Sequence, residues 1–524
     1  MFLVALRARR PNRGTSAGIQ QSKLDADSIS QLTHHPTQRV DLADQVAFGD
    51  SPDRRIARHL RDQVQIHRDH RGLQPQPGAR ARGLTTGMPG PDDDHFIACG
   101  HLSLILVERA KLALTVKILV IGSGGREHAI AWRLALEGHQ IFSAPGNPGL
   151  AQIGAVHTST DYVSVAEAIQ PDLTVVGPEV PLVAGIVDQF RARDLVIVGP
   201  SQENAQLEGS KIYAKEFMQR VGIPTARFVR SESPDLAIEA LLQFEYPVVV
   251  KADGLAAGKG VIIAHNYAEA GAAIRSLGPR LIIEEFLRGE EVSFIALCDG
   301  RSVVALEATQ DHKTIHDGDT GPNTGGMGAY CDGRILTAAD TGLILDSIIE
   351  PAVRMTRFTG FLYAGLMMTA TGPKVIEFNV RLGDPETQPL MHRLEGGFGD
   401  ALLRDATGQL QGTTLRSKPD PSVCVVLASY GYPAQVRTGD PIAGIETAAE
   451  MEGVQVFHAG TKMGPRGLET AGGRVLGVTA SGPDLASAVR NTYAAVAKIR
   501  FAGMQYRHDI AHKGLKRWPQ AARR

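Results

Sequence analysis

At 524 residues the chain is longer than a single hydrophobic core usually organises, which sets an expectation of several domains, each able to bury its own interior. The formal net charge is -1, so no whole-chain basic field exists to hold nucleic acid, and any anion binding must come from local design. The most apolar stretch, Leu102 to Ile121, carries Glu108, Arg109, Lys111 and Lys117, which argues against a membrane span, and Met1 to Leu6 is too short for a secretory signal. Cys99, Cys298, Cys331 and Cys424 form no CxxC pair and read as unpaired thiols of a reducing, cytoplasmic setting.

Residues 1–114 are rich in Arg, His, Gln, Asp and Pro and show little sustained apolar periodicity. The spacing of His34, His35, His59, His67 and His70 fits no common metal pattern, and the many Asp residues weigh against a transit peptide. The segment is read as a disordered extension, or as one created by an upstream start codon assigned in error. The register changes at Val116. Lys117 to Gly122 reads as a buried strand, Gly122-Ser123-Gly124-Gly125-Arg126-Glu127-His128 as a glycine turn, and Glu127 to Leu136 as a helix.

That turn departs from the dinucleotide pattern, because Glu127 stands where a third glycine belongs. Arg126 and His128 place basic groups where a phosphomonoester would gain charge-assisted bonds, so a phosphosugar site is preferred to a dinucleotide one. Apolar strands follow at Leu173 to Gly177 and Leu195 to Gly199, and their alternation with helices predicts an open parallel α/β sheet.

A second region opens with a helix over Lys211 to Val221 and reaches a strand at Pro247 to Lys251. The glycine loop Gly254 to Gly260 comes next; its amides and lysines suit a polyphosphate, although the Walker pattern is absent and a plain hairpin would look similar. Ile282-Ile283-Glu284-Glu285-Phe286-Leu287 reads as a strand that could pair its backbone with adenine, or else as a charged edge strand. Gln310-Asp311-His312-Lys313 and the glycine-rich Thr320 to Ala329 read as a ligand-wrapping loop; His312 is taken as structural and not as a base. In Val375 to Gln388, period-2 alternation puts Glu377, Asn379 and Arg381 on one strand face, opposite Ile376 and Phe378. Two hard oxygen donors there suit Mg²⁺ shared with ATP, and Arg381 suits the transferring phosphoryl group; the bland alternative is an amphipathic strand with a solvated face. Strands at Val423 to Ala428 and Arg474 to Thr479 and a helix at Leu485 to Ile499 predict a small third domain.

Strand lysine, glycine loop, paired acids, then Glu-x-Asn and Arg, in that order, resemble the ATP-grasp enzymes. Within them the strings GGREH, APGNPG, KADGLAAGKG, EEFLRGEE, QDHK, DTGPNTGGMGA and EFNVRLGDPETQ are similar to those of phosphoribosylamine-glycine ligases, over residues 116 to about 512. The resemblance implies a mixed α/β and α+β multidomain chain. An N-terminal open parallel α/β (pre-ATP-grasp) domain would span 116–207, a central ATP-grasp fold 208–405 with its lid at about 236–308, and a small C-terminal α/β domain 415–515. It implies ligation of glycine to 5-phosphoribosylamine through glycyl phosphate, giving glycinamide ribonucleotide, ADP and phosphate in purine synthesis. ATP would lie on Lys215, Lys251, Gly254, Ala257, Gly258, Lys259, Gly260, Glu284, Glu285, Phe286, Leu287 and Glu291. The amine substrate would lie on Gly124, Gly125, Arg126, Glu127, Asn147, Pro178 and Glu179, with Asp311, Lys313, Asn323, Thr324, Gly325 and Gly326 in the same cleft. Arg381, Asp384 and Lys259 would be catalytic, and Glu377 and Asn379 would hold Mg²⁺ or Mn²⁺. The expected partners are these small molecules alone, with no nucleic acid and no membrane, and the expected assembly is a monomer. The rivals are another ATP-grasp carboxylate-amine ligase, a dinucleotide-dependent oxidoreductase, and a catalytically silent nucleotide-binding module.

Overall fold

The run Lys-Ile-Leu-Val-Ile-Gly is apolar on both faces, and a strand of that kind is stable only when helices cover both sides of its sheet. A computed structural model describes residues 115–255 and 260–518, and there the run is β1 (Lys117–Gly122), buried from Ile118 onward. It sits at the centre of a five-stranded sheet with β2 (Gln140–Pro145), β3 (Ala155–Val156), β4 (Leu173–Val176) and β5 (Ile197–Val198), in the order β3-β2-β1-β4-β5 with every pairing parallel. The strand expected over Leu195 to Gly199 is shorter than its apolar run, because only Ile197 and Val198 pair with β4. The extension expected over residues 1–114, including Cys99, lies outside the described residues.

Helix α1 (Gly125–Leu136) follows β1, and Glu127 at its third position accepts from the Gly124 backbone N–H at 2.5 Å, satisfying an amide the helix itself cannot. Helices α2 (Gln202–Gly209) and α3 (Lys211–Val221) then lead out of this domain. Ser210 caps α3 through Tyr213 N–H at 3.1 Å, and Gly222 at φ +81° ends it.

Where the lid is expected stands a four-stranded sheet of β6 (Phe228–Ser231), β7 (Val248–Ala252), β8 (Val261–Ala264) and β9 (Leu281–Glu285), in the order β6-β9-β7-β8. It has its own core of Val248, Val250, Ile274, Leu281 and Ile283. The compact stretch from His265 to Leu281 holds a helix, Tyr267–Leu277, that closes this core. This sheet begins at Phe228, before the expected 236, and ends at Glu285, short of 308, since the next strands, β10 (Glu290–Asp299) and β11 (Val303–Ala305), belong to a larger sheet.

That sheet continues through β12 (Thr309–Asp311), past the hairpin β13 (Thr314–His316) and β14 (Thr320–Asn323), to β15 (Gly328–Cys331), β16 (Thr359–Thr369) and β17 (Gly372–Asn379). The C-terminal strands β18 (Ser422–Ala428), β19 (Val454–His458) and β20 (Arg474–Ser481) join it, because β15 pairs antiparallel with β18. The nine strands run β17-β16-β10-β12-β15-β18-β20-β19, with β11 on β10. The C-terminal strands therefore extend the central sheet and cover what would be an open edge. One apolar cluster packs Leu119, Phe190, Phe217, Phe294 and Phe378 together, locking the first domain onto this sheet. No helix among the described residues is long and apolar enough to cross a membrane.

Candidate active site

The lid, the central sheet, the first domain and the C-terminal strands surround a cleft of about 920 Å³. On its lid side, Lys215 of α3 and Lys251 of β7 both pair with Glu284 of β9, at 3.2 and 3.0 Å, and all three are buried. Glu284 thus compensates two cations that would otherwise repel in a dry site. Burial pulls the Lys215 ammonium down to about 8, with Lys251 repulsion adding to it and Glu284 opposing. Gly254, Gly260, Glu285, Phe286, Leu287 and Glu291 line the same side, and Val249, Ile263 and Met367 add an apolar wall. Ala257, Gly258 and Lys259 lie outside the described residues. Lys211, four residues before Lys215 on the same face of α3, also lines the cleft and donates to the Gly254 carbonyl at 2.7 Å.

Glu377 and Asn379 line the opposite wall, on β17. The simple alternation expected there is interrupted. Gly365 pairs with Glu377 while Leu366 pairs with Val375, so Ile376 is an extra residue and the strand bulges beside the site. Ile376 and Phe378 line the cleft as well, and Arg381 lies beyond the strand end instead of on its face. Burial pushes the Glu377 carboxyl up, but Lys313, Lys251, Lys211 and Arg381 together outweigh it and hold the group below the usual carboxylate range. Neither Glu377 oxygen has a hydrogen bond to a described residue, and Asn379 Oδ1 accepts only from Arg381 Nη2, at 3.2 Å. An ionised, uncommitted carboxylate beside an amide oxygen fits a hard divalent cation. Among the described residues no cluster of three or more His, Cys, Asp or Glu could hold a metal by itself, so the pair suits a cation that takes other ligands from phosphate and water.

Arg381 is held by Glu208, which sequence reasoning missed, and by Glu179, which it assigned to the amine substrate. Glu208, near the end of α2, accepts from Arg381 Nη2 at 2.7 Å and from the Val380 N–H at 2.8 Å, while Glu179 stands 3.5 Å from Arg381 Nε. Asp384 accepts from Gln388 at 2.8 Å and from Arg474 Nη2 at 3.1 Å. Burial raises Asp384, and Arg474 and Arg126 bring it below the ordinary aspartate range. Arg474 starts β20 and also bonds the Asp384 and Gly325 carbonyls. Lys513, from the C-terminal end of the described chain, and Tyr363 and Glu386 are among the other unforeseen lining residues. Lys211 carried a signal in its spacing from Lys215, and Glu386 in its place within EFNVRLGDPETQ; Glu208, Arg474, Lys513 and Tyr363 carried none.

Arg126, Pro178 and Glu179 of the first domain line the cleft, together with Asp311, Lys313, Asn323, Thr324 and Gly325. Gly124, Gly125, Glu127, Asn147 and Gly326 do not reach its surface and support it from behind. Glu127 bonds Arg126 Nε at 2.5 Å and packs so tightly that a Cβ on Gly177 would stand 2.0 Å from its Oε1. A Cβ on Gly125 would meet Gln388 at 2.7 Å, and one on Gly326 would meet Pro385 at 2.4 Å. Asn147 ties the Ser123 carbonyl to that of His458, at 2.8 and 2.9 Å. His128 is not the basic phosphate ligand expected. It is buried, accepts from His458 N–H at 2.8 Å, and is pulled down to about 3 by burial and then by His458. His312 is fully buried and likewise pulled down to about 3, chiefly by desolvation.

Sequence comparison matches the phosphoribosylglycinamide synthetase family in three consecutive parts: its N domain over residues 116–208, its ATP-grasp (A) domain over 209–387 and its C domain over 422–513. The phosphoribosylamine–glycine ligase of Xylella fastidiosa is 47% identical over 427 residues, covering 77% of this chain and 97% of that protein. That of Pseudomonas aeruginosa is 46% identical over 428 residues, covering 77% and 99%. The crystal structure of phosphoribosylamine–glycine ligase from Thermotoga maritima superposes with a TM-score of 0.68 at 36% identity, covering 76% of this chain and all of that one. A biotin carboxylase from Campylobacter jejuni, at 14% identity and a TM-score of 0.60, shares the fold.

Proposed function

Because the chain belongs to the phosphoribosylamine–glycine ligase family, we propose that it joins glycine to 5-phosphoribosylamine using ATP, releasing glycinamide ribonucleotide, ADP and phosphate in purine synthesis. The main support from geometry is that Lys215 and Lys251, Glu377 and Asn379, Arg126 and Glu179, and the Asn323–Gly325 turn all face one cleft. A carboxylate is a poor electrophile, and converting glycine to glycyl phosphate supplies a leaving group that an amine can displace. Lys215 and Lys251 hold the polyphosphate, the apolar wall around Phe286 and Leu287 takes the base, and Arg381 meets charge that develops on the transferring group. Glu377 and Asn379 would hold Mg²⁺ or Mn²⁺, which when bound neutralises phosphate oxygens. The lid, with its separate core, folds over the cleft and keeps water from the acyl phosphate.

The working domains are 116–207, 208–405 and 415–515. The protein acts as a monomer on small molecules in the cytoplasm, and its sparse cysteines support that reducing compartment. The test is formation of glycinamide ribonucleotide from glycine, ATP and freshly generated phosphoribosylamine. ADP release without glycine at the same rate, or full turnover with another amino acid, would sink the reading. Glu377→Ala tests the metal site: undiminished turnover at ordinary Mg²⁺ removes that role.

A further inference from the structure

We propose that Asp311 is the general base of the amide-forming step, accepting the proton that the phosphoribosylamine nitrogen loses as it attacks the glycyl carbonyl. The proposal rests on the acyl-phosphate reading above. In this step the N–C bond forms, the C–O bond to phosphate breaks, and phosphate departs with that electron pair. The nitrogen proton ends on an Asp311 oxygen and passes to solvent through the cleft.

The assignment follows from which cleft carboxylates are already engaged. Glu284 holds Lys215 and Lys251. Glu291 pairs with Lys313 at 3.0 Å, and Glu285 with Lys374 at 3.1 Å. Glu386 accepts from the Tyr363 hydroxyl at 2.7 Å, Glu208 holds Arg381 at 2.7 Å with Glu179 3.5 Å from it, Glu290 pairs with Arg517 at 3.3 Å, and Asp319 holds Arg507 at 2.9 Å. Asp384 is taken by Gln388 and Arg474. Two remain without a hydrogen bond or ion pair to a described residue: Glu377, which suits the cation, and Asp311.

Asp311 also stands in the right place. It closes β12, where Gln310 turns inward to bond Glu290 and the Glu291 carbonyl, leaving Asp311 on the cleft. Two residues on, the Lys313 carbonyl accepts from both the N–H and the hydroxyl of Thr324, at 2.7 and 2.8 Å. The Asn323–Gly325 turn is thereby pinned beside Asp311, so an amine substrate held by the turn presents its reacting end within reach of that carboxylate. His312, the neighbouring residue with the more familiar base chemistry, is fully buried and outside the cleft lining.

The charged groups facing Asp311 tune it. Burial raises its carboxyl, Glu386 from the loop after β17 and Glu291 from β10 raise it further, and Lys313 and Lys513 oppose them; the outcome is about 7. Tyr363 of β16, itself held protonated by burial and by Glu386, adds no charge. A base poised near the working pH is the efficient one.

The experiment compares two nucleophiles on the full chain with Mg²⁺, ATP and glycine: phosphoribosylamine, and hydroxylamine, which is unprotonated near neutrality and needs little base assistance. Asp311→Asn is expected to lower glycinamide ribonucleotide formation by about 10²–10⁴-fold, to abolish the rise in kcat/KM through about pH 7, and to keep glycine hydroxamate formation within about threefold. Asp311→Glu, which keeps a carboxyl, is expected to retain the pH-dependent limb at a reduced rate. Equal loss with both nucleophiles, or an unchanged pH profile in Asp311→Asn, overturns the base. A wild-type chain that forms neither product overturns the acyl-phosphate reading instead.

Discussion

Glu208 shows how a residue outside every motif can govern one inside. Its carboxylate bonds Arg381 and the Val380 N–H directly after the Glu377–Asn379 pair, fixing where the strand ends. Glu208→Gln keeps the shape but turns an amide toward the guanidinium, forfeiting a charged hydrogen bond worth about 1.5–3 kcal/mol. A kcat lower by about tenfold or more, with the KM for ATP little changed, is expected from steady-state kinetics; an unaltered kcat would mean that Arg381 needs no such support. Arg474 is the parallel case from the C-terminal strands. Its guanidinium joins Asp384 to Gly325, beside the turn proposed to hold the amine substrate. Arg474→Ala is expected to raise the KM for phosphoribosylamine about tenfold or more, through loss of charged hydrogen bonds, while leaving that for ATP within about twofold. An equal rise in both would refute a role confined to one substrate. Neither residue was legible in the chain, because an isolated Glu on a helix or an Arg entering a strand has no local signature. Glu377, Asn379 and Lys251 were legible because their neighbours in sequence are also their neighbours in the site.

Among the elements, those with a strong local pattern came through. The all-apolar β1, the helices α1 and α3, and the strand with Lys251 all stand where periodicity placed them, within a residue or two. The bulge at Ile376 was not legible, since a register shift is a property of two strands and β16 lies on the other side of it. The lid is a separate element in energetic terms, with Ile274 fully buried in its own core. Ile274→Ala is expected to destabilise that unit by about 2–5 kcal/mol. By hydrogen exchange, amides of β7 and β9 should lose protection while those of β1 and β4 do not, and the KM for ATP should rise. Uniform loss of protection across the chain would show that the lid has no independent stability.

Among the described residues four neutral histidines are buried, His128, His312, His392 and His458, each pulled down to about 3 or 4, chiefly by desolvation. In the unfolded chain each titrates near 6.5, so between that value and about 4 the unfolded state binds more protons than the folded one. Stability is therefore fully present above pH 6.5 and is lost as pH falls toward 4. Urea midpoints measured at pH 7.5 and 5 should differ in that sense, and His128→Gln should flatten part of the slope. A midpoint independent of pH would contradict the buried-neutral assignment.

What the chain determined by itself was the order of chemistry: a glycine turn after a buried strand, a strand lysine and its loop, a Glu-x-Asn strand, and a glycine-rich segment between them. Those signals are short-range, each needing only its own backbone. The tertiary structure decided which of these groups face the cleft, sending Glu127, Asn147 and His128 behind its wall and bringing Lys211, Glu208, Arg474 and Lys513 into it. It also decided charge state. Whether a half-buried carboxylate such as Glu377 stays ionised or one such as Asp311 is raised depends on cations and anions contributed by strands and helices far away in sequence, and on how much water the packed elements exclude.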